Sequence, residues 1–131
     1  MNVVVDTSVI IAVIADEPEK GVLVELTQGV DLIAPHSVHW EIGNAFSAMF
    51  KRHRVTLDQA LRAIQAYGKI PIRFVDVELE RSLEIAETLG IYAYDAYLIR
   101  CALRYKSPLI SLDGDLADSA KRMQVRVIEV K

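Results

Sequence analysis

The sequence predicts an α/β fold, a three-layer α/β/α sandwich built on a mostly parallel sheet. Short apolar runs rich in β-branched residues alternate along the chain with longer segments whose apolar residues repeat at helical spacing. Strands that are apolar throughout are typical of a parallel sheet covered by helices on both faces. With 131 residues, 52% of them hydrophobic, we expect one domain over residues 1–131 with a two-sided core.

The predicted strands are short and end at turn-forming or acidic residues. The first, at residues 2–5, contains three consecutive valines, and the third, at 72–75, lies between Pro71 and Asp76. The remaining strands are predicted at residues 31–34, 108–112 and 125–130.

The predicted helices fill the intervals between these strands. Two short helices open the fold, and a later one starts at Thr56 and Asp58, a favourable helix beginning. Another ends at Leu89 before Gly90, a residue favoured just beyond a helix. The full set covers residues 9–15, 19–28, 37–53, 56–67, 78–89, a segment opening near Asp95, and 116–123. This regular alternation indicates right-handed βαβ units.

Two aspartates stand where predicted strands end. Asp6 follows Val3–Val5, and Asp113 closes the run Leu109–Leu112 before Gly114. In a parallel sheet the carboxyl ends of the strands share one edge, and ligands of open α/β folds bind there. We therefore expect both carboxylates at that edge.

Two further acids lie on apolar faces of predicted helices. Asp95 continues a stripe formed by Leu98, Ile99 and Ala102 at i+3, i+4 and i+7. Glu41 lies within the arc formed by Val38, Ile42, Ala45 and Met49. The amino ends of helices that follow parallel strands lie at the same edge as the strand ends. All four acids are therefore expected to meet.

Each acid also has a purely structural explanation. Asp6 is a good helix N-cap, Asp113 before Gly114 is common in turns, and Asp95 suits the first turn of a helix because of the helix dipole. Glu41 is hardest to explain this way, since a carboxylate on a buried face is costly unless something neutralises it. One shared cause explains all four better than four coincidences.

The shared cause that fits is Mg²⁺ or Mn²⁺, which take oxygen ligands from a few carboxylates together with water and phosphate. Such a site suits phosphodiester hydrolysis, with one ion or two about 4 Å apart. Thr7, Ser8 and Ser111 are expected to support the ligands through hydrogen bonds, and Asp115 is a weaker additional ligand.

Composition excludes several other classes. Cys101 is the only cysteine, which excludes an internal disulfide and a cysteine-rich metal site. The net charge is −3, but without the four acids 14 acidic residues face 15 basic ones, so an anionic substrate is not excluded. No signal peptide or membrane span is predicted, and we expect a cytoplasmic protein that does not contact membrane.

Other polar and aromatic residues have default structural interpretations. The three histidines, His36, His39 and His53, show no metal-binding spacing. The basic stretch Lys51–Arg54 is typical of a solvated helix end, with nucleic-acid contact as the lesser alternative. Arg100 and Arg104 point away from the Asp95 stripe and are free to meet phosphate or a partner's acids. Packing is the default role, and base stacking the alternative, for Trp40, Tyr92, Tyr94 and Tyr97.

Four segments together resemble the PIN-domain ribonucleases, and within them the VapC-type toxins of toxin-antitoxin pairs. They are Val3–Ser8, Pro35–Glu41, Tyr94–Ala96 and Leu109–Asp113, in this order and spacing. The resemblance implies a PIN-like fold and a Mg²⁺- or Mn²⁺-dependent endoribonuclease in which Asp6, Glu41, Asp95 and Asp113 are the catalytic, metal-binding residues. It also implies an RNA substrate, a homodimer and a VapB-like protein antitoxin. Phe46 and Phe50, beyond the apolar stripe of their helix, are candidate dimer contacts.

Three competing interpretations remain. A haloacid-dehalogenase-like phosphatase requires a second aspartate where Ser8 stands, and a receiver-like domain requires paired acids beside Asp6. The serious rival is a catalytically silent PIN-like module that binds RNA or a protein at the same edge. The intact set of four acids counts against it, because carboxylates packed together without metal repel one another.

Overall fold

The computed structural model describes residues 1–131 and contains one five-stranded, fully parallel sheet. The strands are β1 (Asn2–Val5), β2 (Asp31–Pro35), β3 (Ile72–Val75), β4 (Leu109–Ile110) and β5 (Val127–Ile128). Their order across the sheet is β3-β2-β1-β4-β5, so the first strand lies at the centre. This topology confirms the predicted parallel α/β sheet.

Seven helices cover this sheet in two groups. They are α1 (Thr7–Ile14), α2 (Lys20–Leu26), α3 (Ser37–Lys51), α4 (Leu57–Tyr67), α5 (Leu79–Leu89), α6 (Ala93–Arg104) and α7 (Gly114–Arg122). Helix α1 packs against α2, α3 and α4, whereas α5 packs against α6, which contacts β1, β2 and β4. The two groups and the sheet form the predicted three-layer sandwich. None of these helices is long and apolar enough to cross a lipid bilayer.

Helix ends follow the local chemistry of the sequence. Thr56 and Gln59 form a reciprocal capping box at the start of α4, with each side chain accepting from the other residue's backbone N–H. Gly90 ends α5 in the left-handed conformation, at φ 66°, that glycine adopts without steric cost. Both boundaries were predicted.

Strand β4 is shorter than predicted, two residues instead of five, for a reason that bears on the site. Beyond Ile110, backbone N–H groups donate to side-chain hydroxyls instead of to a neighbouring strand. Leu112 N donates to Ser8 Oγ (3.0 Å), and Asp113 N donates to Ser111 Oγ (2.9 Å). The chain therefore leaves the sheet one residue after Ile110.

The hydrophobic core is a cluster of 28 buried residues centred on β1 and the adjoining faces of the helices. Phe46 is 4% exposed and belongs to this core, so the expectation that it lies outside the α3 stripe is wrong. Phe46 lies one turn beyond Ile42 and extends the stripe, whereas Ala45 and Met49 are only partly buried. Phe50, 37% exposed, does lie at the surface.

Arg100 and Arg104 hold two helices together, which contradicts the expectation that they are free for phosphate or a partner. Arg100 forms two hydrogen bonds to the Glu78 carboxylate, 3.0 and 3.1 Å, at the start of α5. Arg104 donates to the Asp76 carbonyl oxygen at 2.9 Å. The Arg100 hydrogen bonds, assisted by both positive charges, lower the pKa of Glu78 to about 2.

Cys101 lies on the inner face of α6 and is fully buried, as its apolar surroundings predicted. Burial raises the pKa of its thiol to about 12, which keeps it protonated and unreactive.

Candidate metal and nucleic-acid site

Asp6 is the most buried carboxylate of the protein and lies at the carboxyl end of the central strand. Its side chain is 4% exposed and accepts hydrogen bonds from Ser8 Oγ (2.7 Å) and Val9 N (3.2 Å) on Oδ1. Oδ2 accepts from Ser111 Oγ at 2.6 Å. Asp6 is therefore the N-cap of α1, the structural role that the sequence suggested for it. Only one of its three hydrogen bonds, the one from Val9 N, is a capping bond.

Ser8 and Ser111 connect the ends of two adjacent strands through Asp6. Each hydroxyl donates to the Asp6 carboxylate and accepts a backbone N–H from the segment that follows β4. Both residues thus occupy the supporting positions expected from the sequence. Their hydrogen bonds fix the direction of the Asp6 carboxylate and bring Asp113 to the same edge.

Glu41 lies in the second turn of α3 with an unsatisfied polar group. Its Oε1 is buried without a hydrogen-bond partner, and so are the hydroxyls of Thr7 and Ser37. The Thr7 and Ser37 hydroxyls lie close enough to Glu41 to lower its pKa. Neither hydroxyl, however, forms a hydrogen bond of good geometry with the Glu41 carboxylate. Burial, followed by the charges of Asp6 and Asp95, dominates and raises this pKa to about 7.

Asp95 and Asp113 complete the acidic cluster, by which we mean Asp6, Glu41, Asp95 and Asp113. Burial raises the pKa of Asp95, and the charges of Asp113 and Asp115 raise it further. Asp113 is exposed and caps α7 through Asp115 N (3.0 Å) and Leu116 N (3.2 Å). Asp115 is also exposed, so it lies at the periphery of the cluster.

Neighbouring acidic charges act on three of the four acids. The Asp6 and Asp95 charges act on Glu41, the Asp113 charge acts on Asp6, and the Asp113 charge acts on Asp95. Each interaction raises a pKa, because a neighbouring negative charge disfavours ionisation. Asp6 directly follows β1 and Asp113 lies beyond the end of β4, whereas a single site formed by all four acids stays a prediction.

An open cavity of about 570 Å³ adjoins the cluster. We call it the acidic cavity, and it is lined by Thr7, Ser37, Trp40, Glu41, Asn44, Ala45 and Tyr94. Trp40 is 76% exposed and Tyr94 is 58% exposed, so neither ring is buried in the core of this chain. Sequence reasoning missed Ser37, although its position one turn before Glu41 on the same helix face was a usable signal.

A slightly larger cavity, about 640 Å³, lies away from the cluster between α1, α3 and α4. None of the four clustered acids lines it. The acidic cavity is therefore the candidate site although it is the smaller of the two, because a clustered acid, Glu41, lines it.

The donor set fits a hard divalent cation. Every candidate ligand is a carboxylate oxygen, and the buried, unpartnered Oε1 of Glu41 is a polar atom that a cation would satisfy. In this structure no three His, Cys, Asp or Glu side chains lie close enough together to hold a metal ion among them. An open arrangement suits Mg²⁺, which usually retains several waters and binds only one or two carboxylates directly.

Comparison with known proteins identifies the family. Residues 3–122 match the model of the PIN domain. The chain belongs to the PIN domain family. The match includes all four clustered acids, and it confirms the family resemblance seen in the sequence. A search of curated proteins finds no match.

Solved structures show the same PIN fold at low sequence identity. PAE2754 from Pyrobaculum aerophilum has a TM-score of 0.70 and 20% identity, covering 91% of this chain and 79% of that one. VapC20 from Mycobacterium tuberculosis, a sarcin-ricin loop cleaving toxin, has a TM-score of 0.64 and 17% identity, covering 89% and 94%. VapBC2 from Rickettsia felis, bound to a promoter DNA fragment, has a TM-score of 0.67 and 15% identity, covering 98% of both chains.

The raised pKa of Glu41 predicts a pH-dependent stability in metal-free buffer. The folded protein holds this proton up to about pH 7, whereas an ordinary glutamate side chain loses it near pH 4.5. Between these values the folded state binds more protons than the unfolded state, so the free energy of unfolding falls as pH rises. Because glutamine does not ionise, we expect Glu41→Gln to remove about 1–2 kcal/mol of this pH-dependent decrease in the free energy of unfolding. The value is smaller than the full pKa difference implies, because solvent reaches part of the Glu41 side chain.

Urea unfolding at pH 5 and pH 8 with chelator measures this difference. The matched control is Glu87→Gln, which changes an exposed glutamate on α5 in the same way. Equal pH dependence in the wild type and Glu41→Gln would show that Glu41 ionises freely and that the cluster is not electrostatically strained.

Proposed function

We propose that this chain acts as a single-domain, Mg²⁺- or Mn²⁺-dependent endoribonuclease that hydrolyses RNA phosphodiester bonds. The observation that carries the proposal is the acidic cluster at the carboxyl edge of a PIN-domain sheet, with a buried oxygen of Glu41 left unpartnered. Burial and neighbouring acidic charges raise the pKa values of Asp6, Glu41 and Asp95, which is costly for the fold without a cation. A divalent cation and a phosphodiester together would balance this charge.

The chain's own residues have distinct duties in this scheme. We assign Asp6, Glu41, Asp95 and Asp113 as the catalytic metal ligands, with Asp6 oriented by Ser8 and Ser111. A bound Mg²⁺ or Mn²⁺ would supply positive charge at the scissile phosphate and lower the pKa of an attacking water. Thr7 and Ser37, whose hydroxyls lack partners, are placed to hold water beside Glu41, and exposed Asp115 is an auxiliary acid.

The biological role we propose is that of the toxin in a type II toxin-antitoxin pair. The fold likeness to VapC20, a toxin, and to VapBC2 supports this assignment. The same proposal includes a VapB-like protein antitoxin as the partner and a location in the cytoplasm, where cellular RNA is available. A homodimer is part of the same proposal. Of the two phenylalanines suggested as dimer contacts, Phe46 is buried and Phe50 is exposed, so Phe50 is the candidate contact.

The nuclease proposal is tested by cleavage of total cellular RNA by the purified protein with Mn²⁺, with Mg²⁺ and with chelator. We expect discrete cuts only with metal. Asp95→Asn should reduce cleavage by at least about 100-fold, the order seen when a group that stabilises transition-state charge is lost. Removing one like charge from the cluster should leave metal-free stability unchanged or raised.

The matched control is Asp118→Asn, the same chemical change at an exposed aspartate of α7 outside the cluster. It should cut at the wild-type rate. Undiminished cleavage by a folded Asp95→Asn protein would overturn the assignment. Absence of cleavage by the wild type, with RNA or protein binding retained, would favour the silent PIN-like module instead.

The dimer is tested separately by static light scattering at micromolar concentration. We expect about twice the chain mass of 14.7 kDa, and Phe50→Asp should shift the population towards monomer, because a buried charge opposes association. A wild-type mass equal to one chain would contradict the dimer and leave the nuclease proposal unaffected.

A further inference from the structure

Two exposed aromatic rings flank the acidic cavity, each next in sequence to a clustered acid. Trp40 precedes Glu41 on α3, and Tyr94 precedes Asp95 on α6. Two exposed rings that border one cavity offer apolar faces whose burial against a ligand is favourable. We propose that Trp40 and Tyr94 form a stacking subsite for an unpaired nucleobase of single-stranded RNA beside the scissile phosphate. This inference rests on the proposed nuclease function.

Trp40 is exposed but held in place by an aromatic chain. The His39 ring meets it edge-on, with centroids 4.8 Å apart and planes at 77°. His39 Nδ1 is hydrogen-bonded to Tyr67 Oη at 2.9 Å, and its ring packs edge-on against Phe74 at 5.8 Å. A ring that is 76% exposed and fixed from behind presents a stacking surface at low cost in conformational entropy.

Tyr94 has a similar support on the other side of the cavity. The Tyr97 ring meets it edge-on at 6.1 Å, with planes at 83°. The two supported rings therefore belong to different helices and border one opening. Stacking on such rings is available to every base, since each base has a π-face, and it requires that the base be unpaired.

The cavity has the size and polarity for one nucleotide. Its volume, about 570 Å³, lies within the range of small-molecule clefts. Three of its lining residues, Thr7, Ser37 and Glu41, each carry a buried oxygen without a hydrogen-bond partner. Asn44, one turn beyond Trp40 on α3, adds an amide with two donors and one acceptor for a base edge. Stacking supplies affinity, and Asn44 supplies preference among bases.

The composition of the chain provides a direct probe, because Trp40 is the only tryptophan. The titration uses Asp95→Asn protein with Mg²⁺, so that cleavage does not consume the RNA, and follows the fluorescence of Trp40. We expect a single-stranded RNA hexamer to quench the emission with saturation. An abasic hexamer of equal charge should bind about 5- to 150-fold more weakly, the fold-change that corresponds to stacking one base.

Cleavage kinetics provide the second test with matched variants. Trp40→Ala and Tyr94→Ala should lower kcat/KM by about 10- to 100-fold, mainly through KM, and Trp40→Phe should restore most of the loss. The control is Tyr92→Ala, which removes an 88% exposed ring near the same edge but outside the cavity lining. It should leave kcat/KM unchanged, and the melting temperatures of all four variants should stay near that of the wild type.

The outcomes separate this inference from the nuclease proposal. Metal-dependent cleavage with unchanged kcat/KM in Trp40→Ala and Tyr94→Ala would overturn the stacking subsite alone. Equal quenching by abasic and base-containing hexamers, or by duplex RNA, would also overturn it. If RNA does not quench the Trp40 fluorescence of the Asp95→Asn protein, and Trp40→Ala loses self-association, the Trp40 ring belongs to a protein interface. Base-dependent quenching without any cleavage by the wild type would support the subsite and overturn the nuclease.

Discussion

The carboxylate of Asp6 is 4% exposed and accepts three hydrogen bonds, from Ser8 Oγ, Val9 N and Ser111 Oγ. These bonds join the end of the central strand to the start of α1 and to the segment after β4. They also end β4 early, because the hydroxyls of Ser8 and Ser111 accept the backbone N–H groups that would otherwise extend the ladder. The position of Asp113 follows from this network, and so does the orientation of α7, which Asp113 caps.

The same network carries an electrostatic cost. Burial raises the pKa of Asp6 despite its three hydrogen bonds, and the charge of Asp113 adds to the effect. Burial and neighbouring acidic charges also raise the pKa values of Glu41 and Asp95. A fold selected for stability alone would place apolar or paired residues here. The repulsion has a physical purpose if a divalent cation and a phosphate occupy the edge, since the cation reverses the sign of the local field.

Much of this arrangement could be predicted from the sequence because it depends on local patterns. Val3–Val5 followed by Asp6, and Leu98, Ile99 and Ala102 after Asp95, specify a strand end and a helix face without knowledge of the fold. The parallel topology then brings both acids to one edge. The capping role of Asp6 was also predictable, and the structure shows that capping and membership of the cluster are compatible.

Other features depend on which residues meet across the fold, and the sequence does not contain that information locally. Arg100 was expected to be free, but its partner Glu78 lies 22 residues earlier on another helix. Phe46 was expected at the surface, because its burial depends on how α1, α3 and α4 pack together. The exposure of Trp40 and Tyr94 is likewise tertiary, since aromatic residues are usually buried and only the packed structure shows that these two are not.

We infer that the acidic cluster is a site for a divalent cation. The most direct measurement is calorimetric titration with Mn²⁺ at pH 6.5 in two buffers of different ionisation enthalpy. Glu41, with a pKa of about 7, is largely protonated at that pH, so binding should release on the order of one proton and the apparent enthalpy should differ between buffers. We expect this release in the wild type and weaker binding in Asp95→Asn. Absence of Mn²⁺ binding, or binding with no proton released, would contradict it.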